Sequence, residues 1–124
     1  MEEIIISENI YDLLYRLGVT SNYTGFAHTA YALQLCMGHP ERLRTVTKFV
    51  YPEVARYFNT NWKAVERNIR TVGKVIWREN VALLEQLARR PLSKKPNSSQ
   101  LLAILASSLE TPNFDHSQEE PTAR

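Results

Sequence analysis

The sequence predicts an all-α fold, a compact bundle of about six helices that contains a helix-turn-helix. Three observations predict it. Apolar residues recur at helical spacing along most of the chain, most plainly at Trp62, Val65, Ile69, Val72 and Ile76, which follow the i, i+3, i+4, i+7 rule. Residues that cap or stop helices stand at the ends of those periodic segments. Residues 51–78 form two such segments joined by a three-residue turn, Asn59, Thr60 and Asn61, with the small Ala55 in the first and the β-branched Val65 ten positions later. That is the pattern of a helix-turn-helix.

Taken in order, Ser7 is placed to cap a helix with the stripe Ile10, Leu13, Leu14 and Leu17, closed by Gly18 where glycine is favoured after a helix. Thr24 or Gly25 starts a second helix with Phe26, Ala30, Leu33 and Met37 inward, ending at Gly38 with Pro40 beyond. A third helix is expected from Glu41 to Tyr51, with Leu43, Val46, Phe49 and Val50 on its inner side. Pro52 then fits the first position of another helix, with Tyr51 pushed out of the helical region, and Val54, Ala55 and Phe58 supply the apolar edge. An asparagine stands in the following turn where glycine is usual.

The long segment from Trp62 to Arg78 comes next. Periodicity puts Trp62 and Trp77 at or near the core, and Gly73 marks either a close helix crossing or a tolerated defect of about 1 kcal/mol. Val81, Leu84, Leu87 and Ala88 make a short helix that stops before Pro91. Asn97 or Ser98 caps the last helix, which turns Leu101, Leu102, Leu105 and Leu109 inward. Residues 1–109 are thus expected as one helical domain. From Glu110 the composition turns to Thr, Pro, Asn, Ser, Gln and Glu, so 110–124 is expected as a disordered tail.

Composition narrows the function. The net charge of +2 is modest, but between Glu41 and Lys95 there are 13 Lys or Arg against 5 Glu, and elsewhere 2 against 8, so a basic body lies between acidic ends. The single cysteine, Cys36, excludes an intrachain disulfide and sits in an apolar helix as an inert thiol, which fits a reduced, cytoplasmic setting. No apolar run approaches the roughly 18 residues of a membrane span, and Met1 to Ser7 lacks the features of a signal peptide. His28, His39 and His116 share no helix face with a carboxylate or thiol, so no metal site is expected. The four glycines are isolated, and no GxSxG, HExxH or P-loop string occurs, so no enzyme and no cofactor is expected.

The helix from residue 62 carries the sharper signal. Opposite its apolar stripe stand Lys63, Arg67, Arg70, Lys74 and Arg78, an unbroken basic line with Glu66 as the one acid near its start. A solvated face ordinarily mixes signs. Two classes remain: a sequence-specific DNA reader with this helix in the major groove, and an all-helical interaction module that meets an acidic partner. An interaction module more often exposes apolar anchors on such a face, so double-stranded DNA is the expected partner. The early turns of a recognition helix reach bases and the later turns track the backbone, which makes Lys63, Glu66, Arg67 and Arg70 base-proximal and Lys74 and Arg78 phosphate contacts. Arg42, Arg44 and Arg56 add to the positive field.

The run VTKFVYPEVARYFNTNWKAVERNIRTVGKVIW, residues 46–77, resembles the C-terminal DNA-binding domain of the stage zero sporulation protein A family through its YP, FNT and VER motifs. The likeness covers most of residues 8–109, through Leu17, Gly18, Val19, Gly25 and Phe26 upstream and Lys95 to Ser98 downstream. It breaks between Trp77 and Lys95, where this chain is about four residues shorter than the family pattern. The resemblance implies a sporulation regulator's effector domain. It places Lys48 at a phosphate and carries over Glu66, Arg67 and Arg70. It puts an arginine where this chain has Ala64 and a histidine where it has Thr71. The family binds paired boxes containing TGTCGAA as a dimer, after a receiver domain that these residues do not include. A related but different site is therefore expected, and a homodimer on tandem sites and RNA polymerase stay open as further partners.

Overall fold

The computed structural model describes residues 4–110. Six α-helices are formed: α1 (Glu8–Arg16), α2 (Thr24–Cys36), α3 (Tyr51–Tyr57), α4 (Trp62–Glu79), α5 (Val81–Ala88) and α6 (Ser98–Glu110). The expected tail lies outside the described residues except for Glu110, which ends α6 and accepts a hydrogen bond from the Gly38 N–H at 2.6 Å.

Most helix ends follow the local signals. The Ser7 hydroxyl oxygen accepts from Asn9 N–H, and Gly18 takes φ +97 just past α1. At α6, Asn97 Oδ1 accepts from Gln100 N–H at 2.8 Å while Gln100 Oε1 accepts from Asn97 N–H at 2.9 Å, a reciprocal capping box. Asn80 serves three elements: it ends α4, its Oδ1 accepts from Leu83 N–H to start α5, and its Nδ2 donates to the Arg16 carbonyl at the end of α1.

The expected helix from Glu41 to Tyr51 is not formed. In its place stand a 3₁₀ helix, Pro40–Arg44, a break at Thr45, and a single π turn, Val46–Val50, that runs directly into α3. Pro52 explains the widening. In a regular helix its ring would strike the carbonyl of residue 48, and a π turn, in which Tyr51 N–H reaches back to Val46 O, moves that carbonyl aside. Tyr51 is correspondingly helical, φ −62 and ψ −42, not extended, and burial of its ring holds it there.

The core gathers around α4. Ile69, Val72 and Ile76 share one buried cluster with Leu14 of α1, Leu33 of α2, Val54 of α3, Leu84 of α5 and Leu101, Leu102 and Leu105 of α6. The tightest approach is at Gly25, where a Cβ would run into the Asn68 carbonyl and lie 2.7 Å from Val72 Cγ2. Gly73 is different: a Cβ there would meet Leu101 Cδ2 at 3.6 Å, an ordinary contact, so of the two alternatives the tolerated defect holds.

These two glycines predict opposite outcomes in chemical denaturation. Gly25→Ala is expected to destabilise by about 1–3 kcal/mol through overpacking. Gly73→Ala is expected to stabilise by about 0.5–1 kcal/mol through helix propensity. Equal effects would show that α2 and α4 do not cross at Gly25.

Candidate nucleic-acid interface

The turn between α3 and α4 is fixed by its own backbone. Thr60 N–H donates to Ala55 O at 2.9 Å and Asn59 N–H to Arg56 O at 3.3 Å, the two bonds of a Schellman ending, with Asn59 at φ +58 in the place glycine usually takes. Asn61 Oδ1 then accepts from Ala64 N–H at 2.9 Å and caps α4. The α3 and α4 axes are thereby set by a short connection with few free torsions.

Helix α4 divides cleanly. Val65, Ile69, Val72, Val75 and Ile76 are buried, whereas Lys63, Arg67, Arg70, Lys74 and Arg78 are all exposed. At 3.6 residues per turn the five cations fall within an arc of about 80°. Trp62 departs from expectation: it is 42% exposed, not a core residue, because it follows the exposed turn Asn59–Asn61 and the stripe becomes buried only from Val65. Trp77 is half-buried against the core.

The cations differ in their neighbours. Among the described residues Lys63, Arg67 and Lys74 form no ion pair, and Lys63 Nζ lies 5.9 Å from the Trp62 ring centroid. Arg70 Nη1 donates to Glu66 Oε1 at 2.5 Å, and Arg78 Nε to Glu79 Oε2 at 2.9 Å. Exposed pairs of this kind contribute about 0–1 kcal/mol, so a phosphate can displace them. Arg56 is likewise held by Glu53 at 2.7 Å, and Arg42 turns back to donate to Leu35 O at 2.6 Å with its guanidinium 4.7 Å from the Phe49 ring centroid. Lys48 and Arg44 are exposed on the preceding turns.

The other residues singled out on α4 have different surroundings. Ala64 and Thr71 are half-buried at one margin of the basic arc, and the Thr71 hydroxyl donates back to Arg67 O at 3.2 Å. Glu66, at the other margin, accepts from Ser98 Oγ at 3.2 Å through one oxygen and from Arg70 through the other. Below it Tyr51 is buried, and burial, with the Glu66 charge adding to it, pushes the phenol up to about 12. Asn68 Nδ2 lies 3.4 Å from Nδ1 of His28, a buried ring that is tilted against Phe58 and whose pKa burial lowers. Periodicity could not find the Glu66–Ser98 bond, because its partners are 32 residues apart. Cys36 is buried, its thiol pushed up to about 11 by burial. Among the described residues no group of His, Cys, Asp or Glu could hold a metal ion, and no helix is long and apolar enough to cross a membrane.

Glu66 therefore ties the helix-turn-helix to α6. Glu66→Ala is expected to lower stability by about 1 kcal/mol in urea unfolding, the net worth of one partly buried hydrogen bond. Arg70→Ala removes only the exposed pair and is expected to change stability by less than about 0.5 kcal/mol. The reverse order would contradict a bracing role for Glu66.

Nearly all of this framework, from within α1 to the last turn of α6, falls within one family. The model of that family, described as the sporulation initiation factor Spo0A C terminal, matches residues 10–109. The family is one of DNA-binding transcription factor domains and not an enzyme family. This chain belongs to the Spo0A C-terminal family, the DNA-binding domain of a sporulation transcription factor.

Proposed function

We propose that this protein is a sequence-specific transcription regulator of the cytoplasm, and that α4 enters the major groove of duplex DNA. The observation that carries this is the arc of five exposed cations on the second helix of a helix-turn-helix, with no apolar anchor between them. The groove admits a helix, and the phosphates flanking it meet cations on either side of the reading face.

Lys63, Ala64, Glu66, Arg67, Arg70 and Thr71 form the base-proximal set in the first turns. Lys74 and Arg78 in the later turns and Lys48 on the π turn form the phosphate set. Arg67 has no competing carboxylate and is the favoured bidentate reader of a guanine. Glu66 acts at the edge of this set by orienting Arg70 through one carboxylate oxygen while Ser98 holds the other. Ala64 presents a methyl where the family pattern has an arginine, which favours contact with a thymine methyl over a guanine edge.

The test is selection of bound duplexes from a random pool, followed by titrations at several salt concentrations. The wild-type slope of log K against log salt is expected near −3 or steeper, at about 0.9 for each phosphate contact. Arg67→Ala is expected to relax one base position by about 1–3 kcal/mol, whereas Lys74→Ala weakens all sequences alike. Ala64→Arg is expected to move the selected site toward TGTCGAA. A flat slope would remove the DNA reading in favour of an acidic protein partner, and interchangeable Arg67 and Lys74 variants would dissolve the division of roles.

A further inference from the structure

A second cluster of positive charge lies off the recognition helix. The nine residues between α5 and α6, Arg89 to Asn97, hold Arg89, Arg90, Lys94 and Lys95, and no acidic residue occurs between Glu85 and Glu110. This connection is pinned on both sides of its two lysines. Leu92 N–H donates to Glu85 Oε2 at 2.8 Å, Pro96 is buried, and the Asn97–Gln100 capping box fixes the entry to α6. A pinned loop loses little conformational entropy when it binds, so its charges act as a pre-organised group.

Its two halves lie in different places. Arg89, the left-handed residue that ends α5, lines an open cleft with Arg16, Asn80 and Gln86, beside the far end of α4. Lys94 and Lys95 come just before Ser98, whose hydroxyl donates to Glu66, and Glu66 in turn holds Arg70. One carboxylate therefore separates the start of α6 from the basic arc of α4. Lys94 is exposed, Lys95 is half-buried, and neither forms an ion pair among the described residues. Glu66 is the one acid on that margin, and both of its oxygens are engaged.

We infer that the connection before α6, through Lys94 and Lys95, is a second phosphate-binding element that grips the DNA backbone beside the groove occupied by α4. This rests on the DNA reading above and adds to it a contact outside the helix-turn-helix. A helix inserted in the major groove has a phosphate strand along each margin. The Arg70 margin of α4 is the one on which α6 begins, so the lysines stand where that strand passes. Such a contact strengthens binding to every sequence and reads none.

The experiment compares salt titrations of wild type, the double variant Lys94→Ala/Lys95→Ala and Arg89→Ala, each on a selected duplex and on a random one, with thermal melts to verify folding. The double variant is expected to lower the salt slope by about 1–2, at about 0.9 per phosphate contact, equally on both duplexes. Arg89→Ala is expected to leave it unchanged, and Lys94→Arg/Lys95→Arg to restore it. If wild type binds steeply and the double variant keeps the full slope, the inference falls and the α4 reading stands. If Arg89→Ala lowers the slope as much per charge removed, the effect is the general field and the inference falls as well. If wild type itself shows no slope, the DNA reading fails and takes the inference with it.

Discussion

Everything in this fold depends on the burial of one side of α4. Val65, Ile69, Val72 and Ile76 are fully buried, against helices from before and after α4 in the chain. A helix so held cannot rotate about its axis without exposing that stripe, so the arc opposite is fixed with the same firmness. The cations of the arc repel one another, and the apolar contacts behind them supply what that repulsion removes. Core and surface are two consequences of one amphipathic segment.

The surrounding elements set where that arc points. Gly25 lets α2 sit against the Asn68 backbone with no side chain between. The α3 to α4 turn adds a second restraint through Asn59 in the left-handed region and the Asn61 cap. The Glu66–Ser98 bond adds a third from the other side. Together these three hold α4 from three directions, which suits the proposed role in reading DNA, where positional tolerance is a fraction of an ångström.

Features governed by neighbours along the chain were legible in the sequence. The burial and exposure of α4 beyond Trp62 follow from period 3.6, and the caps at Ser7 and Asn97 from their residue types. Features governed by the fold were not. Trp62 belongs to the stripe by spacing yet lies ahead of the elements that cover it. Residues 41–51 carry apolar periodicity, but Pro52 acts back on the preceding turn and widens it to a π turn, which follows a separate 3₁₀ segment at Pro40–Arg44. Gly25 reads in sequence as a helix start and Gly73 as either a crossing or a tolerated defect, and only the packed structure puts the close approach at Gly25 and the defect at Gly73. The carboxylate of Glu66 looked free for a base, whereas its two oxygens are engaged by Arg70 and Ser98.

The basic arc of α4, framed by the turn before it and the start of α6, is the surface proposed to meet duplex DNA. Backbone amide shifts recorded while the labelled chain is titrated with a duplex test it most directly, since they locate the contact without any substitution. The largest changes are expected at Asn61 to Lys74 and at Lys94, Lys95, Asn97 and Ser98, with Tyr11 and Tyr15 of α1 undisturbed. Largest changes on α1 and α2, with the exposed residues of α4 unmoved, would contradict it.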